Sequence, residues 1–279
     1  MYLYDYHMHS QNSSDGKDTI SEMCAVAIAS GLREIAVTDH FEPSPGNEEY
    51  LFYKPGNYFL DMLKACFVFG KDLKIKYAVE LGQPHIFTRY SQKLIETHPY
   101  DYVLASAHKM ADGTDFGDIT YDTGNVDYYY TRYLDELKAL ALWNKFDCIG
   151  HLDLVKRYAS KYGITVRLMD YREKLEEVLK IIIRNGKGIE VNTSGLRQSA
   201  GECLPGLDII RFYRQLGGEL ITAGSDAHTA KDVGKGIREA AEMIELAGFS
   251  HMTVFTGRQP SMVKISEKPS RVHIGKQPA

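Results

Sequence analysis

Residues 3–9 read Leu-Tyr-Asp-Tyr-His-Met-His, an aromatic-rich run that predicts a β-strand ending in two histidines. The competing fold for an α/β chain is an open, doubly wound sheet, which more often carries a glycine-rich phosphate turn after its first strand. Neither a Gly-x-Gly-x-x-Gly pattern nor a Walker pattern occurs in the sequence. The first strand therefore favours a βα barrel.

The remainder of the chain alternates strand patterns with helix patterns. Predicted strands cover residues 3–7, 34–38, 75–80, 102–106, 146–150, 188–192 and 219–223. Predicted helices cover residues 21–30, 57–69, 126–143, 171–184, 207–216 and 231–247. Strands that alternate with helices form a parallel sheet, and about seven such units close into a barrel. We therefore expect an α/β barrel in a single domain over residues 1–279.

Two segments lie outside this alternation. Residues 41–56 are rich in Pro, Gly and Glu, and we expect this loop to sit over the barrel mouth. Residues 264–279 contain four basic side chains, one acidic side chain and two prolines, which predicts a basic tail packed on or near the barrel.

Composition excludes several classes of protein. The 279 residues carry 33 Lys and Arg against 37 Asp and Glu, a net charge of −4, so the chain lacks the basic footprint of a nucleic-acid-binding protein. No apolar run is long enough to span a membrane, and no secretory signal is visible. The four cysteines are scattered and form no Cys-x-x-Cys pair, which favours reduced thiols in the cytoplasm.

Metal-type side chains follow most of the predicted strands. His7 and His9 lie two residues apart, so both imidazoles point to the same side of the first strand. Asp226 and His228 repeat this spacing after the last strand. The other members of the set, each at a strand end or in the first loop, are Asp15, His40, Glu80, His108 and His151. Because active sites of such barrels form at the carboxyl ends of the strands, we expect these side chains to converge.

Imidazole and carboxylate ligands without thiolate suit Zn, Fe or Mn. A catalytic zinc ion takes about four ligands and keeps one position for water. Nine protein ligands are therefore too many for one ion and enough for two or three.

These residues resemble the polymerase and histidinol phosphatase (PHP) superfamily of metal-dependent phosphoesterases. The matching motifs are His7-x-His9 with Asp15, Thr38-Asp39-His40, Glu80, Ser106-Ala107-His108, Gly150-His151-Leu152-Asp153 and Ser225-Asp226-Ala227-His228. Residues 156–158 and 192–197, together with the chain length, resemble the monofunctional histidinol-phosphatase branch. The resemblance implies a distorted (β/α)7 TIM-like barrel, the PHP fold, with a three-metal site at the carboxyl ends of the strands.

The resemblance also implies how the ligands are divided. The first metal would be bound by His7, His9, Glu80 and Asp226, and the second by Glu80, His108 and His151, with Glu80 as the bridge. The third metal would be bound by Asp15, His40 and His228. Glu80, Asp226 and His228 are the residues to which the resemblance assigns catalysis, and zinc is the first candidate metal.

Hydrolysis of L-histidinol phosphate, a step of histidine biosynthesis, is the activity that the resemblance implies, through attack of a metal-bridging hydroxide on phosphorus. A phosphate dianion and a hydroxide would balance the positive charge left by three divalent ions and three carboxylates. Arg157, Arg197 and Lys109 follow strands on the same barrel face and are the candidate phosphate-binding residues. The expected partner is thus a small-molecule phosphate monoester.

Three alternatives remain open. The substrate could be another phosphate monoester, such as a nucleotide or a sugar phosphate, because the loops at the barrel mouth set that choice. Metal-dependent amidohydrolases use a similar barrel with His-x-His on the first strand, but they typically bind one or two metals and often have a modified lysine as the bridge. A non-catalytic, metal-bound module of a larger assembly is a further class, and the complete ligand set argues against it.

Overall fold

The computed structural model describes residues 1–43 and 52–266. Its strands are β1 (Tyr4–Asp5), β2 (Glu34–Val37), β3 (His40–Phe41), β4 (Lys74–Gly82), β5 (Tyr102–Ser106), β6 (Cys148–Ile149), β7 (Gly188–Asn192), β8 (Ile221–Gly224), β9 (His251–Thr256) and β10 (Gln259–Lys264). Its helices are α1 (Ile20–Ala29), α2 (Pro55–Phe69), α3 (Thr88–Thr97), α4 (Val126–Trp143), α5 (Leu154–Ala159), α6 (Arg172–Arg184), α7 (Leu207–Gln215) and α8 (Ile237–Leu246).

A parallel sheet in the order β1-β2-β4-β5-β6-β7-β8 forms the barrel wall. Strand β3 pairs with the later part of β4 and so continues the line of β2 after an interruption at Thr38 and Asp39. Backbone contacts between the two ends of the sheet nearly close it: the Tyr6 N–H donates to Ala223 O at 3.0 Å, and the Asp226 N–H donates to His7 O at 2.7 Å. The predicted distorted seven-stranded α/β barrel is confirmed.

Helix α1 shows how the local sequence starts and stops an element. The Thr19 hydroxyl accepts from the backbone N–H of Glu22, and the Glu22 carboxylate accepts from the backbone N–H of Thr19, which is a capping box. Gly31 follows the helix with a φ of +75°, a left-handed conformation that glycine adopts without steric cost. These local signals set where helix α1, the connection between β1 and β2, begins and ends.

The antiparallel pair β9–β10 packs across the amino ends of the barrel strands. The Tyr4 hydroxyl donates to Thr253 O at 2.7 Å, and the Tyr102 and Phe255 rings lie 5.1 Å apart. Arg258, in the turn of this hairpin, donates through Nε and Nη2 to the Asp147 carboxylate. The hairpin thus covers one end of the barrel, and the opposite, carboxyl end is left for the site.

Several elements were not among the sequence predictions: β3, α3, α5 and the β9–β10 hairpin. Lys264 ends β10, so residue 264 belongs to the hairpin rather than to the predicted tail, because its backbone pairs with His251. Residues 267–279 of that tail and residues 44–51 of the predicted mouth loop lie outside the described residues. Within the described part of the chain, no helix has both the length and the apolar character needed to cross a bilayer.

Candidate metal centre

The predicted metal ligands lie at or near the carboxyl ends of the barrel strands. His7 and His9 come after β1, His40 begins β3, Glu80 lies in β4, and His108 comes after β5. His151 comes after β6, Asp226 and His228 come after β8, and Asp15 lies in the loop after β1. The parallel arrangement therefore brings nine side chains from distant parts of the sequence to one end of the barrel.

Glu80 lies between two pairs of imidazoles. Its Oε2 atom is 3.2 Å from His7 Nε2 and 3.4 Å from His9 Nε2. Its Oε1 atom is 3.1 Å from His151 Nε2 and 3.4 Å from His108 Nε2. Each carboxylate oxygen thus faces a different imidazole pair, which is the geometry of a bridging ligand.

Asp226 faces the imidazole pair His7 and His9 across the barrel seam, where the two ends of the sheet, β1 and β8, meet. Its Oδ1 atom lies 3.7 Å from His7 Nε2 and 3.5 Å from His9 Nε2. The backbone of Asp226 has a φ of +54°, a left-handed conformation that is uncommon for a residue other than glycine and costs about 1 kcal/mol or more. The strained turn after β8 is what carries this carboxylate to His7 and His9.

Asp15 joins the two remaining histidines at the mouth of the barrel. Its Oδ2 atom lies 2.9 Å from His228 Nε2 and 3.6 Å from His40 Nε2. His40 also contacts the first group, because its Nδ1 atom lies 2.9 Å from Glu80 Oε2 and its ring stacks on that of His9 at 4.1 Å. The third group is therefore continuous with the other two.

The donor atoms are spaced as a set of metal ligands would be. In a tetrahedral zinc site with bonds of about 2.0–2.1 Å, neighbouring ligand atoms lie about 3.3 Å apart. The Nε2 atoms of His7 and His9 are 3.0 Å apart, and those of His108 and His151 are 3.2 Å apart. Groups of three donors that could hold an ion occur at His7-His9-Asp226, Glu80-His108-His151, His9-His40-His228 and His40-Glu42-His108.

Electrostatics keep the acidic ligands ionised. Burial by itself raises the pKa of Glu80, but the charges of His7 and His40 outweigh it and hold the pKa well below its usual range. Burial likewise raises the pKa of Asp226, and the neighbouring Arg157 guanidinium reverses the effect and lowers it well below normal. Both carboxylates therefore stay negatively charged, as cation binding requires.

The histidines in the first group differ in protonation. Burial lowers the pKa of His9 well below its ordinary value, and the charges of His40 and His228 lower it further. Burial also acts to lower the pKa of His7, but Glu190 and the other carboxylates around it raise it well above normal. His9 thus offers a free lone pair, whereas a cation at His7 must displace a proton.

Glu190 is a buried carboxylate that the sequence analysis missed. Its Oε1 atom lies 2.6 Å from His7 Nδ1, and its Oε2 atom accepts the backbone N–H of His151 at 2.8 Å. Gly224 makes room for this contact, because a Cβ atom there would lie 2.3 Å from His7 Cβ and 2.4 Å from Glu190 Oε1. The available signal was an acidic residue within an otherwise apolar strand, where a buried charge needs a partner.

Glu42 is a second carboxylate outside the predicted ligand set. Its Oε1 atom lies 2.5 Å from His108 Nδ1, and its Oε2 atom accepts from Gln83 Nε2 at 2.8 Å. Glu42 and Glu190 therefore contact the outer nitrogens of two predicted ligands, His108 and His7. A carboxylate in this position fixes the tautomer of a metal-binding imidazole and raises its basicity.

Asp39, which precedes the predicted ligand His40, is hydrogen-bonded to the loop after β1. Its carboxylate accepts from the Ser10 backbone N–H at 2.5 Å, from Ser10 Oγ at 2.7 Å and from Ser13 Oγ at 2.9 Å. Ser13 Oγ lies 3.3 Å from His9 Nδ1. Asp39 therefore holds the loop after β1 and reaches His9 only through Ser13.

A cavity of about 210 Å³ lies over these groups. Besides the metal-type side chains, its wall includes Ser14, Lys109, Asp115, Arg157 and Tyr158. An opening of this size beside two basic side chains can admit a small anionic group.

The three predicted phosphate-binding residues are placed differently. Arg157 lines the cavity, and its Nη2 atom donates to Asp226 Oδ2 and to Ser194 Oγ. Lys109 also lines the cavity. Arg197 is not among the cavity-lining residues of the described chain, and its Nη2 atom donates instead to Ser225 O at 2.7 Å. The structure thus brings two of the three basic residues to the candidate site.

Comparison with known proteins identifies the family. Residues 5–194 match the family model described as the PHP domain. The chain belongs to the PHP domain family. Histidinol-phosphatase of Lactococcus lactis subsp. lactis (strain IL1403) is 30% identical over 281 residues, covering 96% of this chain and 100% of that protein. A probable histidinol-phosphatase of Thermotoga maritima is 28% identical over 263 residues, covering 94% of this chain and 100% of its own.

A solved PHP structure has the same architecture. Histidinol phosphate phosphatase from Lactococcus lactis, complexed with zinc, L-histidinol and phosphate, superposes with a TM-score of 0.80 at 29% identity, covering 93% of this chain and 98% of its own. A putative histidinol phosphatase from Listeria monocytogenes, with a TM-score of 0.71 at 20% identity, covers 84% of this chain and 98% of its own and shares the fold. The PHP assignment made from the motifs is confirmed.

Proposed function

We propose that this chain hydrolyses L-histidinol phosphate to L-histidinol and phosphate. The observation that carries the proposal is the Glu80 carboxylate, which faces two imidazole pairs beside the Arg157 guanidinium in one cavity. A Lactococcus relative named histidinol-phosphatase matches over 96% of the chain, which supports this substrate. The expected place in metabolism is histidine biosynthesis.

The resident cofactors in this proposal are three divalent transition-metal ions, with zinc as the first candidate. The first would be held by His7, His9, Glu80 and Asp226, the second by Glu80, His108 and His151, and the third by Asp15, His40 and His228. Donor spacings of 3.0–3.7 Å in the first group and 3.1–3.4 Å in the second support the assignment. When bound, such ions polarise phosphoryl oxygens and lower the pKa of water.

The chain's own basic residues bind the substrate's phosphate in this proposal. The Arg157 guanidinium, fixed by Asp226 and Ser194, lines the cavity, and its planar fork of N–H donors matches phosphate oxygens. Lys109 adds a second positive charge at the wall. Arg197, whose Nη2 atom donates to Ser225 O, would approach the phosphate from the loop that carries Ser225 and Asp226. Glu80, Asp226 and His228 contact the reacting groups only through the ions they hold.

Four further expectations stay predictions beside this one. A small-molecule phosphate monoester is the partner, and no nucleic acid is expected for a chain whose net charge is −4. A cytoplasmic location and a single domain over residues 1–279 are expected from the sequence. A cytoplasmic location is compatible with a biosynthetic phosphatase.

A phosphate-release screen tests the proposal. The zinc-loaded protein is assayed against L-histidinol phosphate, nucleoside monophosphates and sugar phosphates, and its metal content is measured in the same preparation. We expect the highest kcat/KM for histidinol phosphate and two to three metal equivalents per chain. Turnover of another monoester without turnover of histidinol phosphate would favour the alternative phosphoesterase, and one equivalent or fewer in active protein would contradict the three-metal site.

A further inference from the structure

One acidic side chain of the cavity wall has no role in the metal centre. Of the two carboxylates there that fall outside the predicted ligands, Glu42 uses both oxygens, one toward His108 and one toward Gln83. Asp115 is different. Its Oδ1 atom accepts the backbone N–H of Gly117 at 2.7 Å, and its carboxylate forms no ion pair with any side chain in the described ranges.

The turn that carries Asp115 is held firmly against the metal centre. Residues Lys109 and Asp115 form an antiparallel bridge, and the Phe116 N–H donates to His108 O at 3.0 Å. Phe116 itself is completely buried. Asp115 is thus attached through its backbone to the segment that supplies a predicted metal ligand, which limits how far its carboxylate can move relative to the cavity.

Gly117 lies close to both the Asp115 carboxylate and an aromatic ring of the cavity wall. A Cβ atom on Gly117 would lie 3.1 Å from Asp115 Oδ1, 3.2 Å from Tyr158 Cζ and 3.3 Å from Tyr158 Oη. Both Asp115 and Tyr158 line the cavity, and Tyr158 is the neighbour of Arg157 in α5. The wall therefore offers a negative charge and an aromatic ring close to the guanidinium proposed to bind phosphate.

We propose that Asp115 and Tyr158 form a subsite for a cationic amine attached close to the phosphate of the substrate. This inference rests on the proposed function, since L-histidinol phosphate carries an ammonium group on the carbon next to its phosphate-bearing methylene. The ammonium donates to the free Asp115 Oδ2 atom, and the Tyr158 ring adds a cation–π contact. Monoesters with a second anionic group in this position are disfavoured by the same carboxylate.

A matched pair of non-hydrolysable ligands isolates the charge of the amine. In 3-aminopropylphosphonate three atoms separate phosphorus from nitrogen, as in histidinol phosphate, and butylphosphonate replaces the ammonium by a methyl group. We measure Kd for both by calorimetry on the zinc-loaded wild type, on Asp115→Asn and on Asp118→Asn. Asp118 is an exposed acid in the same turn that does not line the cavity, so it is the matched control.

The wild type and Asp118→Asn are expected to bind the amine about tenfold more tightly than butylphosphonate, and Asp115→Asn is expected to bind the two equally. Zinc content should be the same in all three proteins. Equal affinities in the wild type, absence of amine binding to it, or a parallel loss of both ligands in Asp115→Asn would each overturn the subsite. Wild-type preference for the amine without hydrolysis of histidinol phosphate would refute the proposed substrate and leave the subsite standing.

Discussion

Glu190→Gln is the substitution that most directly probes how the metal centre is prepared for its ions. Glu190 accepts from the His151 backbone N–H at 2.8 Å with one oxygen and lies 2.6 Å from His7 Nδ1 with the other. Glutamine has nearly the same shape but has an acceptor at only one end. A backbone N–H can only donate, so the amide oxygen must face His151, and the amide NH2 group must then face His7.

The consequence is a change of tautomer at His7. With an NH2 group opposite, Nδ1 must accept a hydrogen bond, and the proton of the neutral ring moves to Nε2. That Nε2 atom lies 3.2 Å from Glu80 Oε2 and 3.7 Å from Asp226 Oδ1, where the proposed first metal needs its lone pair. Loss of such an outer partner typically lowers metal affinity by about 10–100-fold, or about 1.4–2.7 kcal/mol.

The assay is a competition between the protein and a zinc chelator at pH 7.5, with fold monitored by circular dichroism. Glu136→Gln is the matched control, because Glu136 is also buried and its Oε2 atom lies 2.8 Å from His85 Nε2, outside the metal centre. We expect weaker zinc binding in Glu190→Gln alone. Wild-type zinc affinity in Glu190→Gln, or an equal loss in the Glu136→Gln control, would refute the tautomer argument.

Three further outcomes are expected. Glu80→Gln should reduce phosphatase activity at least 10³-fold and release metal, since a single acceptor oxygen cannot face both imidazole pairs; normal metal content with normal activity would exclude the bridge. Arg157→Ala should raise KM for a phosphate monoester about tenfold, and Arg197→Ala less, because only Arg157 lines the cavity; steady-state kinetics would show the reverse order if this were wrong. Arg258→Ala should destabilise the fold by about 2 kcal/mol at pH 7.5, since it leaves the Asp147 carboxylate buried without its guanidinium. Burial raises the pKa of Asp147 despite Arg258, so the loss should shrink as falling pH protonates that carboxyl group; urea denaturation that showed an equal loss at pH 5 would contradict this.

The convergence of the predicted ligands could be inferred from the sequence because it depends on little besides chain direction. In a parallel barrel every strand ends at the same face, so a metal-type residue at a strand end is placed there without knowledge of packing. His7 and His228 are 221 positions apart in the chain, and each lies within contact distance of the same Asp226 Oδ1 atom. Strand pattern alone sufficed for this part of the site.

Residues that act through a partner were harder to find. Glu190 and His7 are separated by 183 positions, and their contact depends on the register between β7 and the barrel seam at β1 and β8. That register is a tertiary property that a strand pattern does not specify. The direction of the Arg197 side chain likewise depends on the 3₁₀ turn Ser194–Arg197, which strand ends do not predict.

The β9–β10 hairpin was missed for a different reason. Strand β10 is almost entirely exposed, so it shows no alternation of apolar and polar residues. Strand β9 is buried at four consecutive positions, and such a short apolar run does not distinguish a strand from a helix. What defines the hairpin is its contact with the barrel end through Tyr4 and Phe255, far away in sequence.

Two carboxylates of this site each contact more than one partner, which in the proposed centre would couple metal binding to phosphate binding. Glu80 faces two imidazole pairs, and Asp226 directs Oδ1 at His7 and His9 while Oδ2 accepts from Arg157. In the proposed centre, a cation at Oδ1 would draw charge from the carboxylate and weaken its hydrogen bond with Arg157, leaving that guanidinium more available to a phosphate in the cavity. Because coupling free energies are reciprocal, phosphate at Arg157 would in turn alter the affinity of the proposed first metal position, and a carboxylate with a single partner would transmit neither effect.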